Sequence, residues 1–180
     1  LPDVSNVRET DEDSDAVLLL LQSAINSAID ALLAMRRQEG ERLCGYLSGC
    51  TDTVLSLTEQ IAKRAPLVVE EYRAKLNERI QALLGSVEVD RARLATEVAL
   101  FADKASIDEE ISRLHSHIAQ MRTLLADDEP SGRKLDFVVQ EMNREFNTIG
   151  SKANDGELTK LVLTGKAEIE KIREQVQNIE

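Results

Sequence analysis

The sequence predicts an all-α chain, a long antiparallel helical hairpin followed by a coiled-coil-like C-terminal helical bundle. Three observations carry this expectation. Apolar residues recur at three- and four-residue intervals along nearly the whole length, the period of a helix face. Aromatic residues make up only 3%, with no Trp, too few for the half-buried faces of a sandwich or barrel. Three Pro and eight Gly in 180 residues leave too few turns for many short strands. A hydrophobic fraction of 42% beside 31% charged residues is enough for a core and argues against wholesale disorder.

The elements follow in chain order. Residues 1–13 read as an acidic linker, and the chain opens on Leu1 rather than Met, as a fragment would. Residues 14–103 read as the helical hairpin region and 104–180 as a C-terminal helical domain. Asp13-Ser14-Asp15 supplies capping residues for a first helix through Val17–Leu21, Ile25, Ile29, Leu32 and Leu33. That helix continues through Leu43, Leu47, Val54, Leu57 and Ile61, with a bend expected near Gly40 beside the Arg36, Arg37 and Glu39 cluster. Pro66 suits the first position of a second helix carrying Val69, Tyr72, Leu76, Ile80 and Leu83 and stopping at Gly85, which makes the hairpin. A short helix after Asp90 carries Leu94, Val98 and Phe101.

In the last third, Ser106 and Glu109 fit a capping box ahead of a heptad-like seam at Ile107, Ile111, Leu114, Ile118, Met121 and Leu125. The acidic turn Asp127-Asp128-Glu129-Pro130 leads into a helix that turns Leu135, Val138, Val139, Met142, Phe146 and Ile149 inward and ends at Gly150. The final helix is expected to start at Asn154 with Glu157 as its capping-box partner. Gly165 interrupts it, either as a defect or as a point of close packing.

Charge sets the first limits on function. The net charge is −11, and six carboxylates against Arg8 in the first fifteen residues account for −5 of it. Residues 131–152 carry Arg133, Lys134, Arg144 and Lys152 against three acids, a local +1 that an anion could approach. Cys44 and Cys50 are too few for a disulfide scaffold or a zinc site, which leaves free thiols in a reducing cytoplasm. The longest apolar run, Ala16–Leu21, falls short of the roughly 18–20 residues of a membrane helix, so no membrane is expected as a partner. No phosphate loop, nucleophile elbow or dinucleotide fingerprint is present.

Candidate chemistry gathers in two places. Asp136, Gln140, Asn143 and Asn147 are spaced to share a helix stripe, with Arg133 leading it and Arg144 beside it. Asn and Asp are mediocre helix formers, so such a stripe suits recognition of a polar ligand, or else a polar seam between helices. Glu141 and Glu145, four apart, could with Asp136 hold a hard divalent ion, although exposed acids at that spacing are common. Arg113-Leu-His-Ser-His117 holds both histidines, which lie about 200° apart on a helix and so do not share one metal. One of the two imidazoles can meet the next helix and move a proton.

The segments Arg113-Leu-His-Ser-His117, Gly132-Arg-Lys-Leu-Asp-Phe137, Gln140-Glu-Met-Asn-Arg-Glu-Phe-Asn-Thr-Ile-Gly-Ser-Lys152 and Ile172-Arg-Glu-Gln-Val-Gln-Asn-Ile-Glu180 resemble the bacterial YicC/YloC family, and Ala34-Met-Arg-Arg-Gln-Glu-Gly40 extends the likeness upstream. The resemblance implies a cytoplasmic, metal-dependent endoribonuclease that assembles as a ring-like homo-oligomer, a hexamer, with a further N-terminal domain. It also implies Mg or Mn as the divalent cation. Carried onto this chain, His117, Glu141, Glu145 and Arg144 become the expected catalytic residues. Asp136, Glu141 and Glu145 become the metal ligands, and Arg113, Arg133, Lys134, Gln140, Asn143, Asn147 and Lys152 the RNA contacts. A non-catalytic RNA- or protein-binding adaptor, or an oligomerisation scaffold, is the rival reading of the same residues.

Overall fold

The computed structural model describes residues 14–84, 90–127, 132–177 and 179. Every regular element among them is a helix: α1 (Ser14–Leu84), α2 (Arg91–Ala105), α3 (Asp108–Leu125), α4 (Gly132–Lys152) and α5 (Gly156–Val176). The all-α expectation therefore holds for the described residues. The acidic linker, the stop at Gly85 and the turn at Asp128-Glu129-Pro130 lie outside them. Two compact units divide the chain, Leu1–Leu43 and Cys44–Glu180.

The core belongs to the second unit. There α1 buries Leu47, Cys50, Val54, Leu57, Ile61 and Val68 at the expected helical spacing. Thr51 and Thr58 are buried with them, and each hydroxyl donates to the carbonyl four residues back, at 2.7 and 2.9 Å, so neither is left unsatisfied. Ile107, with Leu114, Ile118 and Met121 of α3, joins this core, as do all six inward positions expected on α4. Leu158, Val162, Ile169, Ile172 and Val176 of α5 complete it. The Cys44 thiol donates to the Leu125 carbonyl at 3.3 Å and Arg122 pairs with Asp52 at 2.6 Å, fixing α3 alongside α1.

Several expected boundaries move, each for a physical reason. No helix begins at Pro66; α1 runs through it for a total length of 71 residues. A proline inside a helix costs about 3 kcal/mol through its missing N–H and the crowded carbonyl before it. Buried Ile61 and Val68 anchor the turns on either side, and Pro66 itself faces solvent. The hairpin partner of the long helix is therefore α2, where Phe101 stacks on Tyr72 with ring centroids 3.7 Å apart and planes 9° from parallel. α2 starts as expected on Asp90, whose carboxylate accepts the N–H groups of Ala92 and Arg93.

The capping box at Ser106 does not form. Burial of Ile107 sets that residue at the N-cap of α3, and Ser106 instead ends α2. Asp155, not Asn154, caps α5 by accepting from the N–H groups of Glu157 and Leu158. α4 continues two residues past Gly150, which is a packing glycine: a Cβ there would lie 3.1 Å from Val162. Gly165 resolves the same way, since a Cβ would collide with the ring edge of buried Phe146.

One network clamps α1 to the start of α5. Arg64 donates to Asp155 at 2.7 and 3.1 Å and to Glu71 at 2.6 and 3.0 Å, and lies 3.2 Å from Glu157. Glu157 is thus spent on Arg64 rather than on a capping box. The Arg64 hydrogen bonds, opposed by burial and helped by the Leu158 N–H, lower the Asp155 pKa to about 2.

The first unit is described from Ser14, and every residue from Ser14 to Arg42 is exposed. The run-length reading of this segment needs correction. Gln22, Ser23, Asn26 and Ser27 interrupt the leucines without adding charge, and α1 contains a stretch long and apolar enough, by length and composition only, to cross a membrane.

Two predictions follow from the packing. Gly165→Ala should destabilise the chain by about 1–3 kcal/mol in urea denaturation, because overpacking against Phe146 exceeds the gain in helix propensity; Phe146→Leu in the same chain should recover much of the loss. Asp155 ionises more readily folded than unfolded, so its contribution is complete above the ordinary value of 3.8 and disappears as pH falls toward about 2. Arg64→Met should accordingly lower stability at neutral pH in urea denaturation, and its stability should converge with that of the parent chain in acid.

Candidate metal centre

α3 and α4 lie antiparallel, with Glu110 opposite Lys152 and Arg113 opposite Glu145. That alignment brings His117, one residue before buried Ile118, level with the middle of α4. One ligand atom each from His117, Glu141 and Glu145 falls within 4.8 Å of the others. At about 100° per residue, Glu141 and Glu145 occupy the edge of the α4 core face that turns toward α3. The second histidine, His115, is exposed on the other side of the Leu114 seam.

The three groups differ in how deeply they sit. The Glu145 side chain is only 4% exposed, which for a carboxylate demands a partner, and Arg113 lies 3.5 Å away. Arg113 also pairs with Glu109, and the two carboxylates hold its guanidinium above its ordinary pKa. Glu141 is half-buried at 27% side-chain exposure and lies 3.9 Å from the outward-facing Arg144. The His117 Nδ1 atom is buried with no hydrogen-bond partner among the described residues. A buried ring nitrogen without a partner beside two carboxylates has the donor set of a divalent cation site.

The remaining expected residues separate. Asp136, Gln140, Asn143 and Asn147 share the opposite edge of α4 from Glu141 and Glu145. Asp136 accepts a 2.6 Å hydrogen bond from Gln140 and stands apart from the three-residue cluster, so the structure brings His117 to the two glutamates in its place. Asn143 is half-buried and Asn147 exposed. Arg133 and Arg144 occupy the outward arc between the two edges, Arg144 with 72% of its side chain exposed, and Lys134 is exposed one residue after Arg133.

Lys152 and Arg113 have internal duties. Lys152 donates to the Ser106 carbonyl at 3.0 Å and to Glu110 at 2.9 Å. Burial raises the pKa of Glu110, but the Lys152 hydrogen bond and the surrounding positive charge outweigh it and the net displacement is downward. Sequence reasoning missed Glu110 entirely. The residue sits in an acidic first turn, where Asp108, Glu109 and Glu110 all look like solvated complements to the helix dipole.

Comparison with known proteins places this geometry in context. A family model described as "Endoribonuclease YicC-like, C-terminal" matches residues 61–180. A protein of Clostridioides difficile (strain 630) named "Probable endoribonuclease YicC" is 47% identical over 180 residues, covering 99% of this chain and 61% of the relative. A protein of Haemophilus influenzae (strain ATCC 51907 / DSM 11121 / KW20 / Rd) with the same name is 32% identical over 174 residues, covering 97% and 60%. The chain thus spans about three fifths of the length of these curated relatives.

The contact that draws Lys152 inward is open to test. Lys152→Met should lower stability by about 1–3 kcal/mol in urea at neutral pH, since it strands the Glu110 carboxylate, whereas Lys152→Arg should keep most of it.

Proposed function

Because the chain belongs to the YicC-like family, we propose that it forms part of an endoribonuclease in which His117, Glu141 and Glu145 hold a divalent cation next to the RNA backbone. The observation that carries this reading is the convergence of a His117 ring nitrogen with two carboxylates within 4.8 Å, in a residue whose Nδ1 is buried without a partner among the described residues. The names of the two relatives support it from outside the site. A cation held by these three residues would have room for water and a phosphate oxygen. The nitrogen donor favours Mn²⁺ over Mg²⁺, which binds oxygen almost exclusively. Such an ion would supply an activated water or charge stabilisation at the leaving oxygen.

The chain's own residues do the rest. Arg113 positions Glu145, and Glu141 sits at the solvent border where a phosphate can approach. Arg144 and Arg133 present positive charge along the outward arc of α4, and Gln140 and Asn147 add exposed amides farther round. His117 acts through one ring nitrogen as a ligand, so it does not move a proton at that atom. Lys152 and Asp136 lie outside the site, the first as a structural cation and the second as a partner of Gln140. Association of several chains sets more than one such arc around the RNA. Free Cys44 and Cys50 fit a reducing cytoplasm.

Calorimetric titration of the chain with Mn²⁺ is expected to give a site that His117→Ala and Glu145→Gln weaken at least roughly tenfold. In a protein carrying the whole chain, cleavage of a structured RNA should stop on chelation and fall about 100-fold in Glu141→Gln. Cation binding that is unchanged in His117→Ala overturns the site. RNA binding that survives chelation without any cleavage turns the reading into that of a non-catalytic adaptor.

A further inference from the structure

We infer that the exposed ring of Phe137 is the platform on which an unpaired RNA base stacks, so that single-stranded segments are the part of an RNA this chain takes. The inference rests on the nuclease reading for RNA as the ligand and adds to it the recognition of an unpaired nucleotide. The chain has five aromatic side chains, two Tyr and three Phe. Four of them are engaged within the protein. Phe146 is fully buried, Tyr72 and Phe101 stack on each other, and the Tyr46 hydroxyl pairs with the Cys50 thiol, which raises the Tyr46 pKa. Phe137 is 58% exposed.

Its place on the helix gives the ring a ligand. At about 100° per residue, Phe137 lies roughly 150° round from the middle of the α4 core face, where a helix is turned most fully to solvent. Such positions favour Lys, Glu or Gln, and a ring there gains nothing from the core. Exposed Arg133, one turn before, and Arg144, two turns after, fall within roughly 40° on one side of the ring. Glu141 of the three-residue cluster falls roughly 40° away on the other side, with about 6 Å of axial rise between it and Phe137. Arg144 keeps 72% of its side chain in solvent despite its 3.9 Å contact with Glu141. A base laid flat on the ring thus sets its flanking phosphates beside two guanidinium groups and its sugar–phosphate backbone beside His117, Glu141 and Glu145. Gln140, at the rim of the same arc and held by Asp136 at 2.6 Å, carries an amide for the base edge. Charge alone would take duplex and single strand alike, whereas stacking needs an open base face, which a duplex covers on both sides. Every base has such a face, so the ring selects strandedness rather than sequence.

The probe is a short end-labelled oligouridylate with one central 2-aminopurine, mixed with the whole chain in EDTA so that neither cleavage nor a bound cation enters. Anisotropy of the label reads affinity, and 2-aminopurine emission, which falls on stacking, reads the contact itself. The parent chain should bind the single strand more tightly than its duplex with the complementary strand, and the emission should fall. Phe137→Leu should weaken single-strand binding roughly tenfold and abolish the fall in emission, while Phe137→Tyr should keep both. Leu163→Ala, at an exposed position on α5, should change neither. Circular dichroism and sedimentation velocity check that each variant folds and associates as the parent does. A parent chain that fails to bind the single strand, or that binds the duplex as tightly, overturns the proposal, as does a Phe137→Leu chain that binds and quenches like the parent. Sedimentation that shifts in Phe137→Leu overturns it in favour of a ring covered by protein. Failure of the nuclease reading shows separately, as a bound RNA left uncut with Mn²⁺ present, and leaves these outcomes untouched.

Discussion

Burial of one face of α4 against its neighbours on both sides is the constraint from which the site and much of the core follow. Leu135, Val138, Val139, Met142, Phe146 and Ile149 are each at most 1% exposed. A helix packed on two sides has a core face so wide that its edges reach positions a one-sided helix would leave in water. Glu145 is such a position. Its carboxylate is drawn inside, Arg113 must come with it, and the imidazole of His117 is carried to the same place by the alignment of α3. Gly165 belongs to the same constraint, because the ring of Phe146 lies where its side chain would be.

Desolvation also redistributes the cations. In an acidic chain every basic side chain matters for an anionic partner, yet several are committed internally. Arg64 holds Asp155, Glu71 and Glu157, Lys152 holds Glu110, and Arg113 holds Glu145 and Glu109. The cause is the same in each case, since a carboxylate pulled from water needs a charged partner more than solvent needs the cation. On α4 the positive charge left facing outward is that of Arg133 and Arg144.

α1 shows one sequence period in two circumstances. Its buried part and its exposed part repeat leucine, isoleucine and valine at the same spacing, and nothing local distinguishes them. Burial belongs to whichever stretch has helices beside it. The same holds for Pro66, whose start signal is strong in isolation but is outweighed by apolar anchors on the turns before and after it.

The amino-acid sequence by itself determined the all-α class, most of the seam of α3 and every inward position of α4, because a helix period is a local property written into spacing. It also singled out Glu141 and Glu145, two members of the candidate site, through their spacing of four on one helix. What only the tertiary structure decided is which of those residues meet. The stripe of Asp136, Gln140, Asn143 and Asn147 and the pair Glu141 and Glu145 are interleaved in sequence, but they fall on opposite edges of one buried face. His117 joined the glutamates from 24 residues before Glu141, and Lys152 left the expected RNA surface for Glu110. Caps moved by one residue at α3 and α5 because burying Ile107 and binding Arg64 outweighed local preference. Pairing between distant residues depends on the register of one helix against another, and that register is set by core packing rather than by any spacing along the chain.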